Sequence, residues 1–249
     1  MENVSILGIK ITSAEMEEIH EEISRLIDKE GQSFLLSGNI HGLNMARKYK
    51  WLADFYNQSD LVRVDGAGVV LGARLLGYRI CRRMTWADWG WNLAEYLAEK
   101  GHSIYLLGGP TGIAAKAADS LRNHAPGLNV LGFHHGYFEK TGPENTAVIE
   151  EINRLEPDIL VVGMGMPLQE KWLLENHKAI RAKVFITAGA AFEYLAVAIR
   201  RCPQWMGDMG LEWLFRLIQD PRRLVKRYLW GNPAFLANVL LQRLGIIKY

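Results

Sequence analysis

An aspartate placed between an apolar run and two glycines is the first group in this sequence with a potential for chemistry. Asp65 lies in the segment Val64-Asp65-Gly66-Ala67-Gly68-Val69-Val70, which predicts a strand that ends at the acid and a glycine-rich entry to a helix at residues 67–76. A helix N-terminus offers unpaired N–H groups and a partial positive charge, which suit an anion. Asp65 is therefore either a reactive carboxylate or, because Asp often takes N-cap positions, the cap of that helix.

A second segment carries glycines at a predicted strand end and a proline at a helix start: Gly163-Met164-Gly165-Met166-Pro167-Leu168-Gln169-Glu170-Lys171-Trp172. Gln169 puts a neutral amide into the first helical turn, where backbone N–H groups also converge. This arrangement favours a diphosphate or a sugar hydroxyl as ligand over a plain turn with a solvated glutamine.

A third segment, Ser37-Gly38-Asn39, supplies a hydroxyl and an amide at another predicted strand end. Either side chain can cap the helix predicted at residues 41–50 or orient a ligand. Taken alone, the segment favours a cap.

A dinucleotide site is the alternative indicated by Gly108-Gly109-Pro110-Thr111-Gly112, which follows a predicted strand. The glycine fingerprint is incomplete, and the strand predicted at 128–133 has no acid near its end to hold a ribose. The adjacent His134 and His135 would point to opposite sides of a strand, and the sequence contains no DxD or HxxxH array. We therefore expect neither a metal ion nor a cofactor.

The elements that position these groups follow from the pattern of apolar residues. Short strands are predicted at 33–36, 61–64, 103–107, 128–133, 158–162 and 183–187. With single helices between the later strands, the pattern is that of βαβ units, which build a parallel sheet with its ligand crevice at the carboxyl ends of the strands. We predict a Rossmann-like α/β fold with the segments above at one edge, provided that the two halves of the chain pack side by side.

The composition of the chain indicates the cellular compartment in which the protein is expected. The chain has 249 residues, of which 49% are hydrophobic and 22% charged, as in a folded globular protein. Its two cysteines, Cys81 and Cys202, lie in no metal-binding spacing and predict a reducing compartment. Because the sequence shows no signal peptide and no run of 18 apolar residues, we expect a cytoplasmic protein that is soluble or peripheral on a membrane.

The end of the chain differs from the rest in charge. Residues 200–249 carry nine Lys/Arg against three Asp/Glu, a net +6, which leaves −4 for residues 1–199. Aromatic residues are mixed with these cations, which fits a membrane surface, a substrate phosphate or nucleic acid. We predict an α/β core at 1–200, divisible into sub-domains near residue 87, and a basic helical appendage at 201–249.

Two expectations concern the geometry of this appendage. Arg216, Arg223 and Arg227 are spaced by seven and four, so they would share one face of a continuous helix. A break is predicted at Gly231-Asn232-Pro233, before a final helix that ends near Leu244.

Seven motifs follow one another along nearly the whole chain: VDGAGVVLGARLLG, LLGG, HHGYF, VGMGMPLQEKW, GAAFEYLA, RRCPQW and GLEWLFRLIQDPRR. In this order and at these separations they resemble the WecG/TagA/CpsF family of bacterial glycosyltransferases. The resemblance implies transfer of a sugar from a UDP-sugar to a lipid-linked saccharide at the cytoplasmic face of the membrane, with inversion and without a metal ion. It also implies a C-terminal appendage that completes the active site and holds the enzyme at the membrane.

The resemblance assigns roles to single residues. Asp65 stands at the position of the family's proposed general base, and Ser37 at that of a catalytic hydroxyl that is usually Thr. Further matched active-site positions are Asn39, Arg83, Gln169, Arg216, Arg223 and either Lys226 or Arg227, of which we select Arg227.

Because such sheets bind ligands at the carboxyl ends of their strands, we expect four further substrate contacts there, which are Gly163, Gly165, Gly189 and Tyr137.

The chain also departs from the family pattern. Met84-Thr85-Trp86-Ala87-Asp88 replaces Val-x-Gly-x-Asp, Ala196-Val197 replaces Ala-Gly, and Cys202-Pro203 replaces Ala-Pro. The first departure lies beside the expected sugar pocket, so N-acetylmannosamine, its uronic acid and glucose all remain open as the transferred hexose.

The sequence thus predicts an inverting, metal-independent hexosyltransferase of cell-surface polysaccharide synthesis. Its expected partners are a UDP-sugar, a polyprenyl-diphosphate-linked saccharide and the inner face of the cell membrane, but not nucleic acid; self-association is left open. The alternatives are a nicotinamide-dependent oxidoreductase and a non-enzymatic membrane or nucleic-acid adaptor built around the basic tail.

Overall fold

The computed structural model describes residues 1–81 and 83–249, apart from the side chain of Asp208. Its strands are β1 (Glu2–Ile6), β2 (Ile9–Ser13), β3 (Ser33–Gly38), β4 (Leu61–Val64), β5 (Ser103–Gly108), β6 (Asn129–His134), β7 (Ile159–Gly163) and β8 (Val184–Thr187). The helices are α1 (Met16–Asp28), α2 (Ile40–Lys48), α3 (Lys50–Gln58), α4 (Ala67–Leu75), α5 (Trp86–Lys100), α6 (Ile113–His124), α7 (Gly142–Leu155), α8 (Leu168–Asn176), α9 (Ala191–Leu195), α10 (Gln204–Asp208), α11 (Glu212–Gln219), α12 (Pro221–Val225) and α13 (Gly231–Arg243). A 3₁₀ turn (His177–Ala179) follows α8, and a π-helix (Lys226–Trp230) joins α12 to α13.

The strands are hydrogen-bonded in the order β1-β2-β4-β3-β8-β7-β5-β6. β1 and β2 form an antiparallel hairpin, whereas the pairs β2–β4, β3–β8, β8–β7, β7–β5 and β5–β6 are parallel. The predicted Rossmann-like α/β fold, with a mostly parallel sheet, flanking helices and a helical C-terminal segment, is confirmed. Parallel strands place their carboxyl ends at the same edge of a sheet, which is where such folds bind ligands.

The chain divides into two compact units, and β3 contributes to both. The first unit comprises Met1–Glu15, Ser37–Met84 and Arg201–Tyr249, and the second comprises Met16–Leu36 and Thr85–Arg200. Residues 201–249 therefore belong to the same unit as the segment that carries Asp65. The functional partition of the chain at residue 200 stays a prediction.

In the first unit, the C-terminal helix α13 packs against α4. Phe235 and Val239 are completely buried. A Cβ atom on Gly72 would lie only 2.6 Å from the ring of Phe235, so the small residue on α4 is what admits the aromatic ring. Burial of a Phe side chain contributes roughly 1.5–3 kcal/mol to stability, so α13 is an integral part of this unit.

The basic segment before α13 differs from the prediction in two places. Arg216 and Arg223 do not share a continuous helix, because α11 ends at Gln219 and Asp220, at φ −138° and ψ 69°, caps a new helix at Pro221. The predicted break at residues 231–233 is also wrong, because α13 begins at Gly231. Pro233 is tolerated there because the first turn of a helix needs no N–H donor.

In the second unit, the strands β5, β7 and β8 are buried along their whole length. Their apolar runs pack under helices with small residues; on α6 these are Ala114, Ala117 and Ala118, all buried. At the carboxyl end, a Cβ atom on Gly108 would lie 2.2 Å from the carbonyl oxygen of Gly163, and φ at Gly108 is +152°. Only glycine fits this close approach of two strand ends.

Helix α3 was absent from the sequence prediction, as were the short helices α9 and α10. α3 follows α2 after the single residue Tyr49, which is extended and caps both helices. The apolar spacing of Leu52, Phe55 and Tyr56, all buried, was the signal for it.

Candidate active site

Asp65 comes directly after β4, in the first unit. The N-cap of α4 is Gly66, at φ +102°, and not Asp65. No hydrogen bond from the first turn of α4 to the Asp65 carboxylate is found in the described part of the chain, so the cap interpretation of Asp65 is wrong. Instead, Oδ2 of Asp65 accepts a hydrogen bond from Nδ2 of Asn39 at 3.3 Å.

Asn39 performs both functions that the sequence left open. Its Oδ1 accepts from the N–H of Gly42 at 3.0 Å and caps α2, while its Nδ2 reaches Asp65. The backbone ties the two strand ends together as well, since the N–H of Asp65 donates to the carbonyl of Gly38 at 2.9 Å. The amide is thus fixed at one end by the helix and orients the carboxylate with the other.

Ser37 is buried and its hydroxyl is engaged by an arginine. Oγ of Ser37 accepts from a guanidinium N–H of Arg63 at 2.6 Å, and Arg63 also donates to the carbonyl of Met84. Arg63 is completely buried; burial lowers its pKa to about 10, and the charge of Asp65 acts in the opposite direction. A catalytic role for the Ser37 hydroxyl stays a prediction.

Arg63 was not among the predicted site residues. Its signal was an arginine within the apolar run Leu61–Val64, two residues before Asp65. In extended chain, residues i and i+2 point to the same side, so the pattern places a cation beside the acid. A buried cation of this kind is retained at low cost only with an opposite charge nearby.

The basic segment brings Arg227 within electrostatic range of the same carboxylate. Burial lowers the pKa of Arg227, and the charges of Arg216 and Arg223 lower it further, whereas Tyr228 and Asp65 raise it. Arg227 lies on the π-helix Lys226–Trp230, a rare geometry that is common at functional sites. The structure therefore brings the predicted Arg216 and Arg223 within electrostatic range of Arg227, and Arg227 within range of Asp65.

Two predicted anion ligands are engaged by carboxylates in this structure. Arg223 pairs with Asp220 at 2.6 Å at an exposed site. Arg83 pairs with Glu212 at 2.6 Å and donates to the carbonyl of Gly207 at 3.0 Å. Arg83 thus fastens α10 and α11 to the segment after β4, and its contact with substrate stays a prediction.

His41 is a further group near Arg227 that the sequence analysis missed. It is half-buried in the first turn of α2, two residues after Asn39. Burial lowers its pKa to about 4, and the charge of Arg227 lowers it in the same direction. His41 is therefore a neutral imidazole at physiological pH, able to donate and to accept a hydrogen bond.

In the second unit, four strand-end loops meet through glycine backbone. The N–H of Gly136 donates to the carbonyl of Gly109 at 2.8 Å, and the N–H of Gly109 donates to that of Gly163 at 2.9 Å. A Cβ on Gly163 would lie 3.0 Å from the carbonyl oxygen of Gly189. The predicted positions Gly163 and Gly189 are therefore neighbours, in a backbone-lined surface at the carboxyl ends of β5 to β8.

The predicted glycines have different environments. Gly163 is enclosed by Gly189 and Phe192, whereas a Cβ on Gly165 or Gly189 would meet no atom of the described residues within 4 Å. Gly165 and Gly189 also have positive φ, at +80° and +59°. Open space beside these two backbones is what a ligand would need, while Gly163 is required for packing.

Tyr137 and Gln169 lie at opposite extremes of exposure. Tyr137 is 74% exposed, so its ring is accessible to a ligand. Gln169 is completely buried: its Oε1 accepts from the N–H of Gly189 at 3.0 Å, and its Nε2 donates to Glu170 at 2.7 Å. The amide anchors the Gly189 turn, and its contact with substrate stays a prediction.

Two glutamates in this unit were missed by the sequence analysis. Glu170 is completely buried, and both its Oε2 and the Oε2 of Glu193 are buried without a hydrogen-bond partner in the described structure. Burial raises the pKa of Glu170 to about 7, while its hydrogen bond with Gln169 lowers it. The signal for Glu170 was an acid within the motif that already supplied Gln169.

Replacement of Glu170 by Gln is expected to change the pH dependence of stability. Because the folded protein holds this proton more tightly than the unfolded chain, wild-type stability falls as pH rises from about 4.5 to about 7. Removing the acid removes this pH dependence. The free energy of unfolding of the variant minus that of wild type should therefore be about 2–3 kcal/mol larger at pH 8 than at pH 4.5. Urea denaturation at both pH values measures this difference, and Glu175→Gln, an exposed acid of the same helix, is the control.

In the part of the chain that the structure describes, no set of three or more His, Cys, Asp or Glu residues is placed to hold a metal ion. Within residues 1–81 and 83–249, no helix is long and apolar enough to cross a membrane.

Comparison with known proteins assigns the sequence to one family. The Glycosyl transferase WecG/TagA/CpsF family matches residues 4–248. A protein of Staphylococcus aureus (strain MRSA252) named N-acetylglucosaminyldiphosphoundecaprenol N-acetyl-beta-D-mannosaminyltransferase is 26% identical over 251 residues, which cover 98% of this chain and 95% of that protein. A protein of the same name from strain MW2 is 25% identical with the same coverage. A solved nicotinate phosphoribosyltransferase from Vibrio cholerae aligns over 77% of this chain and 48% of that protein's chain, at 15% identity and a TM-score of only 0.25.

Proposed function

Because the chain belongs to the WecG/TagA/CpsF family and is a glycosyltransferase, we propose that it moves an N-acetylmannosamine-type hexose from a UDP-sugar to a polyprenyl-diphosphate-linked saccharide. The uronic acid of that sugar and glucose are the alternative hexoses. The observation that supports the mechanism is the Asp65 carboxylate, held by Asn39 and within range of the charge of Arg227. The family assignment replaces both the oxidoreductase and the adaptor alternatives.

The proposed chemistry is a single inverting displacement. The acceptor hydroxyl oxygen attacks the anomeric carbon, the bond from that carbon to the β-phosphate oxygen breaks, and UDP leaves with the bonding electrons. Asp65 accepts the hydroxyl proton, and Asn39 keeps the carboxylate in the orientation for that transfer. General-base assistance of this kind contributes roughly 10²–10⁴-fold to the rate.

The leaving diphosphate needs positive charge. The charges of Arg216 and Arg223 both lower the pKa of Arg227, so positive charge is concentrated around this guanidinium. We assign the diphosphate to these three arginines, the cationic cluster. In the second unit, we propose the open backbone at Gly165 and Gly189 and the exposed ring of Tyr137 as substrate contacts. The reaction is proposed to need no metal ion, which turnover in the presence of EDTA will test.

The C-terminal segment exposes large apolar side chains, which supports a proposed membrane location of the enzyme and its acceptor. Trp205, Met209, Ile218, Leu229, Trp230, Leu244 and Ile246 are each more than half exposed. Together with the exposed cations Arg222 and Lys226, they fit a surface that lies on an anionic membrane. We propose that this surface holds the enzyme peripherally at the inner face of the cell membrane, where a polyprenyl-linked acceptor resides.

The proposed reaction predicts UDP release only when donor and acceptor are both present. The assay mixes the full-length protein with a panel of UDP-sugars and a synthetic lipid-diphosphate N-acetylglucosamine, and measures UDP and the glycosylated lipid. We expect UDP-N-acetylmannosamine to give the highest kcat/KM and a β-linked product. Absence of turnover with every UDP-sugar, together with saturable binding of a nicotinamide cofactor, would contradict the proposal.

A further inference from the structure

Glu170 is a buried acid with an incomplete set of hydrogen bonds in the first turn of α8. The side chains of Gln169 and Glu170 are both completely buried. Oε1 of Glu170 accepts from Nε2 of Gln169 at 2.7 Å, and Oε2 has no hydrogen-bond partner in the described structure. An apolar residue of the same shape would avoid the cost of burying that oxygen, so packing alone does not account for the acid.

The partner of Glu170 links it to the strand-end surface. Gln169 accepts from the N–H of Gly189 through Oε1 at 3.0 Å. On its other side, the Gly189 carbonyl lies against Gly163, at 3.0 Å from the position of a Cβ there. The Gly189 peptide is thus fixed from both sides, while the space beside its Cα is open.

Among the described residues, Gln169 uses one donor and one acceptor of its side-chain amide. A glutamine amide has two N–H donors and two acceptor lone pairs, and Glu170 and Gly189 take one of each. With its Nε2 bound to Glu170, the amide cannot rotate by 180° without placing two donors against each other at Gly189. The amide oxygen of Gln169 therefore keeps its direction toward Gly189, and its amide nitrogen keeps its direction toward Glu170.

We propose that Glu170 is a positioning residue of the donor site, which acts through Gln169 to fix the Gly189 turn. This inference rests on the proposed glycosyl transfer and concerns the binding of the UDP-sugar. Glu170 itself does not touch the donor.

Two substitutions at Glu170 separate positioning from packing. Glu170→Gln keeps the shape and an acceptor oxygen, so the donor KM and the exchange rate of the Gly189 amide should stay within about threefold of wild type. Glu170→Leu removes the acceptor; loss of one such hydrogen bond should raise the donor KM about tenfold, with kcat changed much less. Hydrogen exchange of a peptide that spans residues 187–192 should then be faster by a similar factor, and Glu175→Gln should behave as wild type.

A double variant tests the same idea if Glu170→Leu fails to fold. Gln169→Glu combined with Glu170→Gln reverses the hydrogen bond between the two side chains and leaves the acceptor for Gly189 in place. We expect wild-type exchange at Gly189 and a donor KM within about threefold of wild type, because the acceptor for the Gly189 N–H is still held in place by residue 170.

Several outcomes would overturn the inference. They are a wild-type donor KM in folded Glu170→Leu, equal impairment of the Gln and Leu variants, or a raised donor KM in a folded double variant. Lack of turnover by the wild type with every UDP-sugar would instead contradict the proposed function. The exchange measurement needs no substrate, so it tests the anchoring of Gly189 in either case.

Discussion

Asp65→Asn is expected to lower kcat for glycosyl transfer by about 10²–10⁴-fold, because the acceptor hydroxyl loses the base that takes its proton. The asparagine keeps an oxygen that can accept from Nδ2 of Asn39, so the local hydrogen bond is preserved. UDP binding should stay within about threefold of wild type, since the charge of Asp65 is not needed to hold a diphosphate. Single-turnover kinetics and calorimetric titration with UDP measure the two quantities.

The control for Asp65→Asn is an acid remote from this cluster. Asp119 is exposed on α6 in the second unit, and Asp119→Asn should leave kcat unchanged. Thermal unfolding of both variants is needed, because Asp65 is the opposite charge that favours the buried Arg63 cation. A folded Asp65→Asn enzyme with wild-type kcat would remove Asp65 from the chemistry.

Arg227→Gln is expected to lower kcat/KM for the UDP-sugar by about 10–100-fold, the effect of losing one charge-assisted hydrogen bond to a phosphate. Arg227 is the member of the cationic cluster whose pKa is raised by the charge of Asp65. Because burial lowers the same pKa, the charged form of Arg227 is favoured by an anion nearby. Arg227→Lys should recover only part of the loss, because an ammonium lacks the planar fork of donors that matches a phosphate. The donor kcat/KM with a soluble acceptor analogue measures these effects without a membrane.

The matched control is Arg222→Gln, which removes an exposed arginine from the adjoining helix α12. It should leave donor kcat/KM unchanged and reduce only the binding of vesicles that contain anionic lipid. Point variants are preferable to removal of residues 201–249, because truncation would strip Phe235 and Val239 from the contact with α4 and unfold the unit. Equal losses of donor kcat/KM in Arg222→Gln and Arg227→Gln would contradict a specific diphosphate contact by Arg227.

The elements of the sheet were predictable because their signals are local. The strand predicted at 61–64 is observed as Leu61–Val64, and the helix predicted at 67–76 as Ala67–Leu75. Apolar runs and glycines fix such elements from neighbouring residues alone. The signals failed where two local effects competed, as at Gly231, where the preceding π-helix carries the chain into α13 without a break.

The site was predictable only as a set of residue types. Asp65 and Asn39 stand at strand ends, and a parallel sheet brings such ends together, so their hydrogen bond agrees with a rule that needs no coordinates. The direction of each side chain was not available in this way. Ser37 is held by Arg63 and Gln169 by Glu170, and both are buried, because long-range packing decided which polar group each one meets.

By itself, the sequence determined the fold class, the placement of Asp65 at a strand end and the family, since these depend on apolar periodicity, glycine placement and motif order along the chain. The tertiary structure decided that Asp65 is oriented by Asn39 and does not cap α4, and that the Arg227 charge acts on it from a segment more than 150 residues later. It also decided that Glu170 is an acid buried behind Gln169. The physical reason is that desolvation and electrostatic coupling depend on which distant groups share a low-dielectric environment, and only folding establishes that.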